Sequence, residues 1–145
     1  MANTARIMGN GDVGEPIKLT VQADATLKAA IDALIAAETE IKGLFVKFDK
    51  KTNYVVSPQA DQEAPSMYVT SYRENKADGT YDLGVEVLQN CVKTLPYRTG
   101  ETVALGAKIR VEGSDYKYVE TDAGATSGVV IAINTTAETV DVLFS

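Results

Sequence analysis

This chain has no histidine, no tryptophan and a single cysteine among its 145 residues. Without histidine it lacks the usual general base and proton shuttle at neutral pH, and the commonest metal ligand. One cysteine, Cys91, forbids an intrachain disulfide, and with no histidine beside it a structural zinc site is excluded. Leu88 and Val92 flank that cysteine, which predicts a buried, inert thiol. No run approaches the roughly 18 continuous apolar residues of a membrane-spanning helix. The opening MANTARIMGNGDVGEP has no apolar core run, so the expectation is no signal peptide and a soluble protein made in the cytoplasm. Basic clusters are scarce too. Lys50-Lys51 is the only adjacent basic pair, and the net charge is −6. Such a chain gains nothing from displacing counterions on a phosphate backbone, which argues against nucleic acid as the main partner.

What is present is a hydrophobic content of 45%. A chain of this length buries about 68–70% of its unfolded surface and needs no metal or disulfide to hold a core. The expected class is α+β, mostly antiparallel β as a small barrel or sandwich, with one amphipathic helix at about 25–42. Residues 1–15 are rich in Gly and Asn and read as an extended arm. Residues 16–95 read as an α+β body, and residues 96–145 as a small C-terminal β-barrel module that could share the body's core.

Pro16 to Val21 alternates Ile17, Leu19 and Val21 against Lys18 and Thr20, as a short strand does. Asp24 or Thr26 can cap a helix whose apolar stripe is Leu27, Ala30, Ile31, Leu34, Ile35 and Ile41. Gly43 stands where a left-handed C-terminal residue is wanted. LFVKF (Leu44 to Phe48) then turns through Asp49–Asn53 into Tyr54-Val55-Val56 as a hairpin. SPQADQEAPS, with Pro58 and Pro65, reads as a long surface loop, mobile or engaged in a contact. Met67–Arg73 and Thr80–Leu88 read as strands joined by an Asp-Gly turn, with Tyr81, Leu83, Val85 and Val87 on one face. Beyond Pro96 the expected core comprises Val103, Leu105, Ile109, Val111, Tyr116, Tyr118, Val129 to Ile133 and Val140 to Phe144.

Several motifs tempt. Gly9, Gly11 and Gly14 form a GxGxxG, but Glu15-Pro16 and a strand follow where a dinucleotide fingerprint needs a helix. Asn75, Asp78 and Asp82 loosely resemble a calcium loop without its alternate ligands and closing Glu. Asn134-Thr135-Thr136 is a sequon that reads as a β-turn. The serines lack a nucleophile elbow, and the carboxylates are scattered. A carboxylate pair distant in sequence stays open, but the expectation is no enzyme, no catalytic residue, no cofactor and no metal. Tyr68, Tyr72, Tyr81, Tyr97, Tyr116 and Tyr118 fall in or beside predicted strands, as cross-strand packing or as part of an interface.

The stretch Thr99 to Ser145 resembles the small decoration (cement) proteins of tailed-phage capsids. Gly100, Val103, Leu105, Gly106, Ile109, Val111, Gly113, Tyr118, Gly128, Val129, Ile131, Val140, Val142 and Phe144 carry the resemblance, over about a third of the chain. It implies a structural virion protein on the capsid exterior, bound to the major capsid protein, with no catalytic residues. It further implies a homo-oligomer, a trimer by preference, near symmetry axes of the expanded shell. The N-terminus resembles the polar arm of phage head proteins. Ile7, Met8 and Val13 of that arm, with Pro58 and Pro65, are the expected capsid contacts. Nucleic acid and membrane are not expected partners. The alternatives are a head-fibre or glycan-binding adhesion module, and a tail-tube or head-completion subunit.

Overall fold

A computed structural model describes residues 16–145. Its order is β1 (Lys18–Ala23), α1 (Ala25–Ala36), β2 (Phe45–Phe48), β3 (Val55–Pro58), β4 (Met67–Asn75), β5 (Thr80–Val87), β6 (Cys91–Pro96), β7 (Ile109–Glu112), β8 (Tyr118–Thr121), β9 (Val129–Asn134) and β10 (Thr139–Phe144). The expected class, α+β and mostly antiparallel β with one helix, is what the chain forms.

The first five strands close a barrel in the order β1-β3-β2-β4-β5, with β5 returning to β1. Only β1 and β3 pair in parallel within it. A parallel pair needs a crossover, and α1 with β2 supplies it. Strand alternation turns Val21, Val46, Val56, Val69, Leu83 and Val85 inward, and Leu27 and Ile31 of α1 join the same core. The closed barrel therefore lies in the segment read from the sequence as an α+β body, and not in residues 96–145, where a small barrel was expected.

The second half is a small two-layer sandwich. One layer is the sheet β6-β10-β9 and the other the ribbon β7-β8. Both bury their inner faces in one core containing Cys91, Leu95, Ile109, Val111, Val119, Val130, Val140, Val142 and Phe144. The expected boundary at residues 95 and 96 cuts through β6, which pairs along its whole length with β10. Local pattern hid this strand, because Pro96 reads as a break. Pro96 is the last residue of β6, where a missing N–H costs little.

Helix α1 is shorter than expected. Asp24 caps it as predicted, its Oδ1 accepting from the Leu27 N–H at 2.8 Å. It ends at Ala36 because Glu38 takes φ +56°, and the Thr39 N–H then bonds the Leu34 carbonyl at 2.8 Å. Glu38 holds the left-handed position expected of Gly43, which instead turns at φ +103° just before β2. Ile41 still reaches the core, from the segment after the helix rather than from its stripe, and Ile35 is exposed.

Further expectations change in the second half. Leu105, Val129 and Ile131 are exposed rather than in the core, as is Leu143. Residues 101–108 form no strand. Their Gly106 N–H and Ala107 carbonyl instead bond the backbone of Val130 at 2.8 and 2.9 Å, covering that edge of β9.

Candidate functional site

The expected contact residues are scattered. Ile7, Met8 and Val13 lie outside the described residues, as do Gly9, Gly11 and Gly14. Pro58 ends β3 opposite Val46 and is half-buried. Pro65 is buried, so its ring offers nothing to an external partner.

The loop between those prolines is tied down at both ends and in the middle. Gln59, buried, donates from Nε2 to the Ala64 carbonyl at 2.6 Å and accepts from the Ser66 N–H at 2.8 Å. Glu63 accepts from the Ala60 N–H and pairs with Lys47. The Gln62 N–H bonds the Val111 carbonyl at 2.7 Å, and the Val111 N–H bonds the Glu63 carbonyl at 2.9 Å. The loop thus covers the free edge of β7 and joins the barrel to the sandwich. Sequence reasoning missed this because its partner strand lies about fifty residues away.

A second joint forms at the β7–β8 tip. Tyr116 takes φ +62°, unusual for a bulky residue, and its carbonyl accepts from the Phe45 N–H at 2.7 Å. Lys117 Nζ donates to the Glu40 carbonyl, and burial pushes that amine below its ordinary range. Beside this joint lies an apolar cleft of about 340 Å³, lined by Ala30, Ala33 and Leu34 of α1 and by Tyr116 and Tyr118. Phe45 itself sits in the sandwich core, while its neighbour Val46 sits in the barrel core.

The two outward faces of the sandwich differ in chemistry. Along β7 and β8, Arg110 faces Glu120 and Glu112 faces Tyr118. Arg110 Nε meets Glu120 at 2.7 Å and its Nη1 meets Asp122 at 3.2 Å. Arg98 Nε meets Glu112 at 2.8 Å, its Nη2 meets Asp115 at 3.0 Å, and its guanidinium lies 4.5 Å from the Tyr118 ring centroid. These carboxylates hold both guanidiniums more basic than usual. Glu101, Glu112 and Glu120 have carboxylate oxygens within 4.8 Å of one another. Two of the three already hold arginines, so the cluster is an ion-pair network on the outer strand face.

The outer face of the sheet is different. Leu143 of β10 sits between Val92 of β6 and Val129 of β9. Ile131 falls at the register shift of β9 and is 39% exposed, beside Val129 at 36% and Leu143 at 40%. Further along the same face the residues turn polar, and Thr94 donates to Asp141 at 2.7 Å. A shallow depression there is lined by Thr94, Ala132, Asn134, Thr139 and Asp141.

The remaining candidates resolve locally. Cys91 is buried, and burial pushes its thiol up, as an inert core thiol requires. Asn75 and Asp78 bond each other across the β4–β5 turn, and Asn134 Oδ1 accepts from the Thr136 and Ala137 N–H groups. Both are the turns expected. Tyr81 is buried and Tyr68 packs against Phe45, whereas Tyr54 and Tyr72 are exposed. Compared with family models, with curated proteins and with solved structures, the chain matches none.

Proposed function

We propose that this chain is a structural virion protein that binds the outer surface of a phage capsid and stabilises the shell. The observation that carries the reading is the double stitching of barrel to sandwich. The 57–66 segment closes the edge of β7, and Tyr116 bonds Phe45. A subunit that resists expansion of a shell has to transmit load without hinging, and two hydrogen-bonded joints around a shared Phe45 suit that task. The pattern of Gly100 to Phe144 supports the same reading, and the net charge of −6 keeps a densely covered particle soluble. Contacts linked within one oligomer reinforce each other on the shell, so each can be modest. The major capsid protein is the proposed partner, and a homotrimer the proposed state.

Copy number in purified virions tests this. Particles banded on a density gradient are quantified for this chain against the major capsid protein by mass spectrometry. A one-to-one ratio, or a simple fraction such as one to three, is expected. Absence from the particle refutes the reading, and a dozen copies or fewer moves the chain to a tail or head-completion position. Exposed Tyr54 and Tyr72 favour a second reading, a glycan-binding adhesion module. Retention on glycan columns that is lost in Tyr54→Ala and Tyr72→Ala would support it.

A further inference from the structure

We infer that the outer face of the β6-β10-β9 sheet, centred on Val129, Ile131 and Leu143, is the surface that docks on the shell, and that its partner is an uncharged apolar patch of the major capsid protein. This inference rests on the functional reading above.

Three observations choose the face and its occupant. The first is polarity. The sandwich has two outward faces on opposite sides of one core. The ribbon face is covered by Arg98, Arg110, Glu112 and Glu120, whose charges are already matched in mutual ion pairs. The sheet face carries an apolar centre with a polar margin at Thr94, Asn134 and Thr139, the layout of a protein interface. Asp141, a charged residue on this face, accepts from Thr94. Lys93 of β6 turns to the inner side, pairing with Glu86 and lying 4.6 Å from the Tyr68 ring centroid. Among the described residues no lysine or arginine of β6, β9 or β10 points from this face, and Lys108 lies only at its Val129 margin, so the matching surface is apolar rather than acidic.

The second is mode of approach. Val130 of β9 is already bonded on its outer side by Gly106 and Ala107, and β6 ends in Pro96, which has no N–H. Strand addition is hindered at Val130 and Pro96, which favours a partner that meets the side chains of the face.

The third is size. A stable two-body interface takes about 800 Å² from each partner. Three partly exposed aliphatic side chains with Val92 at their margin offer on the order of a few hundred Å². That is too little to hold two copies of this chain together alone. It is sufficient where the proposed homotrimer links three such patches that engage the shell together.

The test uses the full chain and expanded shells assembled from the major capsid protein of the same phage. A triple variant, Val129→Thr, Ile131→Thr and Leu143→Thr, puts β-branched threonine, which suits a strand, at exposed positions and so preserves the fold. Its circular dichroism and sedimentation coefficient are checked against wild type. A control, Arg110→Gln with Glu120→Gln, alters the opposite face. The expected result is at least a tenfold loss of shell occupancy for the triple variant in co-sedimentation, with its sedimentation coefficient unchanged, and wild-type occupancy for the control. Wild-type occupancy by the triple variant overturns the assignment while leaving the functional reading intact. Dissociation of a wild-type oligomer in the triple variant also overturns it, because the face is then a contact between copies. Should the triple variant misfold, Leu143→Thr alone is read by the same criteria. Wild-type protein that fails to bind shells refutes the functional reading itself.

Discussion

At Gly128 the backbone adopts φ +63°, and a Cβ there would sit 2.4 Å from Val142 Cγ1 and 3.3 Å from the Phe144 ring. Both atoms belong to the sandwich core, so neither can withdraw without opening it. Gly128→Ala is expected to lower unfolding free energy by about 3 kcal/mol, combining the left-handed penalty with overpacking. Urea denaturation checks this, and Gly79→Ala gives a comparison, since it has a similar φ and open space around it. Tyr81 offers a second test. Its Oη donates to Asp32 Oδ1 at 2.5 Å, and this bond with burial pushes the phenol up to about 12. A folded value above the unfolded 10 means that this stabilisation is complete below pH 10 and is lost as pH rises through about 12. Tyr81→Phe is expected to cost about 1 kcal/mol at pH 7 and to flatten the stability profile between pH 10 and 12. The hydrogen bond was invisible in the sequence, where Asp32 and Tyr81 stand 49 positions apart.

Elements were legible to the degree that their signals were local. The alternation in β5 placed Tyr81, Leu83 and Val85 inward correctly, and Asp24 marked the start of α1. Replacing Asp24 by Ala is expected to cost about 1 kcal/mol through the lost cap, a fall of a few degrees in melting temperature by circular dichroism. The end of α1 was misplaced because Glu38 at φ +56° is intrinsically unfavourable. Burial of Ile41 and Leu44 beyond it favours that turn, and burial depends on where the barrel lies. The β6 strand was missed for a related reason. Cys91 to Pro96 has little pattern of its own and is defined by Phe144, Val142 and Val140 pairing beside it. Pro65 marked a loop correctly, but Ser57 and Pro58 belong to β3, and nothing local showed that the loop's backbone would be bonded to Val111.

Across the whole molecule, Phe45 is the residue on which the two cores meet. It is fully buried in the sandwich, while its N–H and carbonyl bond Tyr116 and Gln59. Phe45→Ala is expected to destabilise by about 3–5 kcal/mol and to split a single urea transition into two. Tyrosine fluorescence and far-ultraviolet circular dichroism, coincident in wild type, are expected to separate in the variant. Acid unfolding belongs to the same scale. Hydrogen bonds from Tyr81 and Lys28 lower Asp32, the Lys51 and Thr52 N–H groups lower Asp49, and Arg73 lowers Asp82. Burial opposes the shift at Glu63, but Lys47 and the Ala60 N–H outweigh it. Folded values below the ordinary 3.8 and 4.5 put this stabilisation in place above about pH 4.5, and it is lost as pH falls through the folded values. Urea midpoints are expected to hold from pH 7 to about 4.5 and to fall below that.

By itself the sequence determined the fold class, the helix start, most strand faces and the inert setting of Cys91. Each follows from residues within a few positions of one another, where spacing and side-chain type act directly on the backbone. Tertiary structure alone decided which half closes as a barrel, that β6 belongs with β10, and that Leu105, Val129 and Ile131 face outward. Alternation specifies that a strand has an apolar face; it does not specify whether another layer covers that face. In β9 the covered residue is Val130, because the core beneath is filled by Val142 and Phe144, and its aliphatic neighbours are left at the surface.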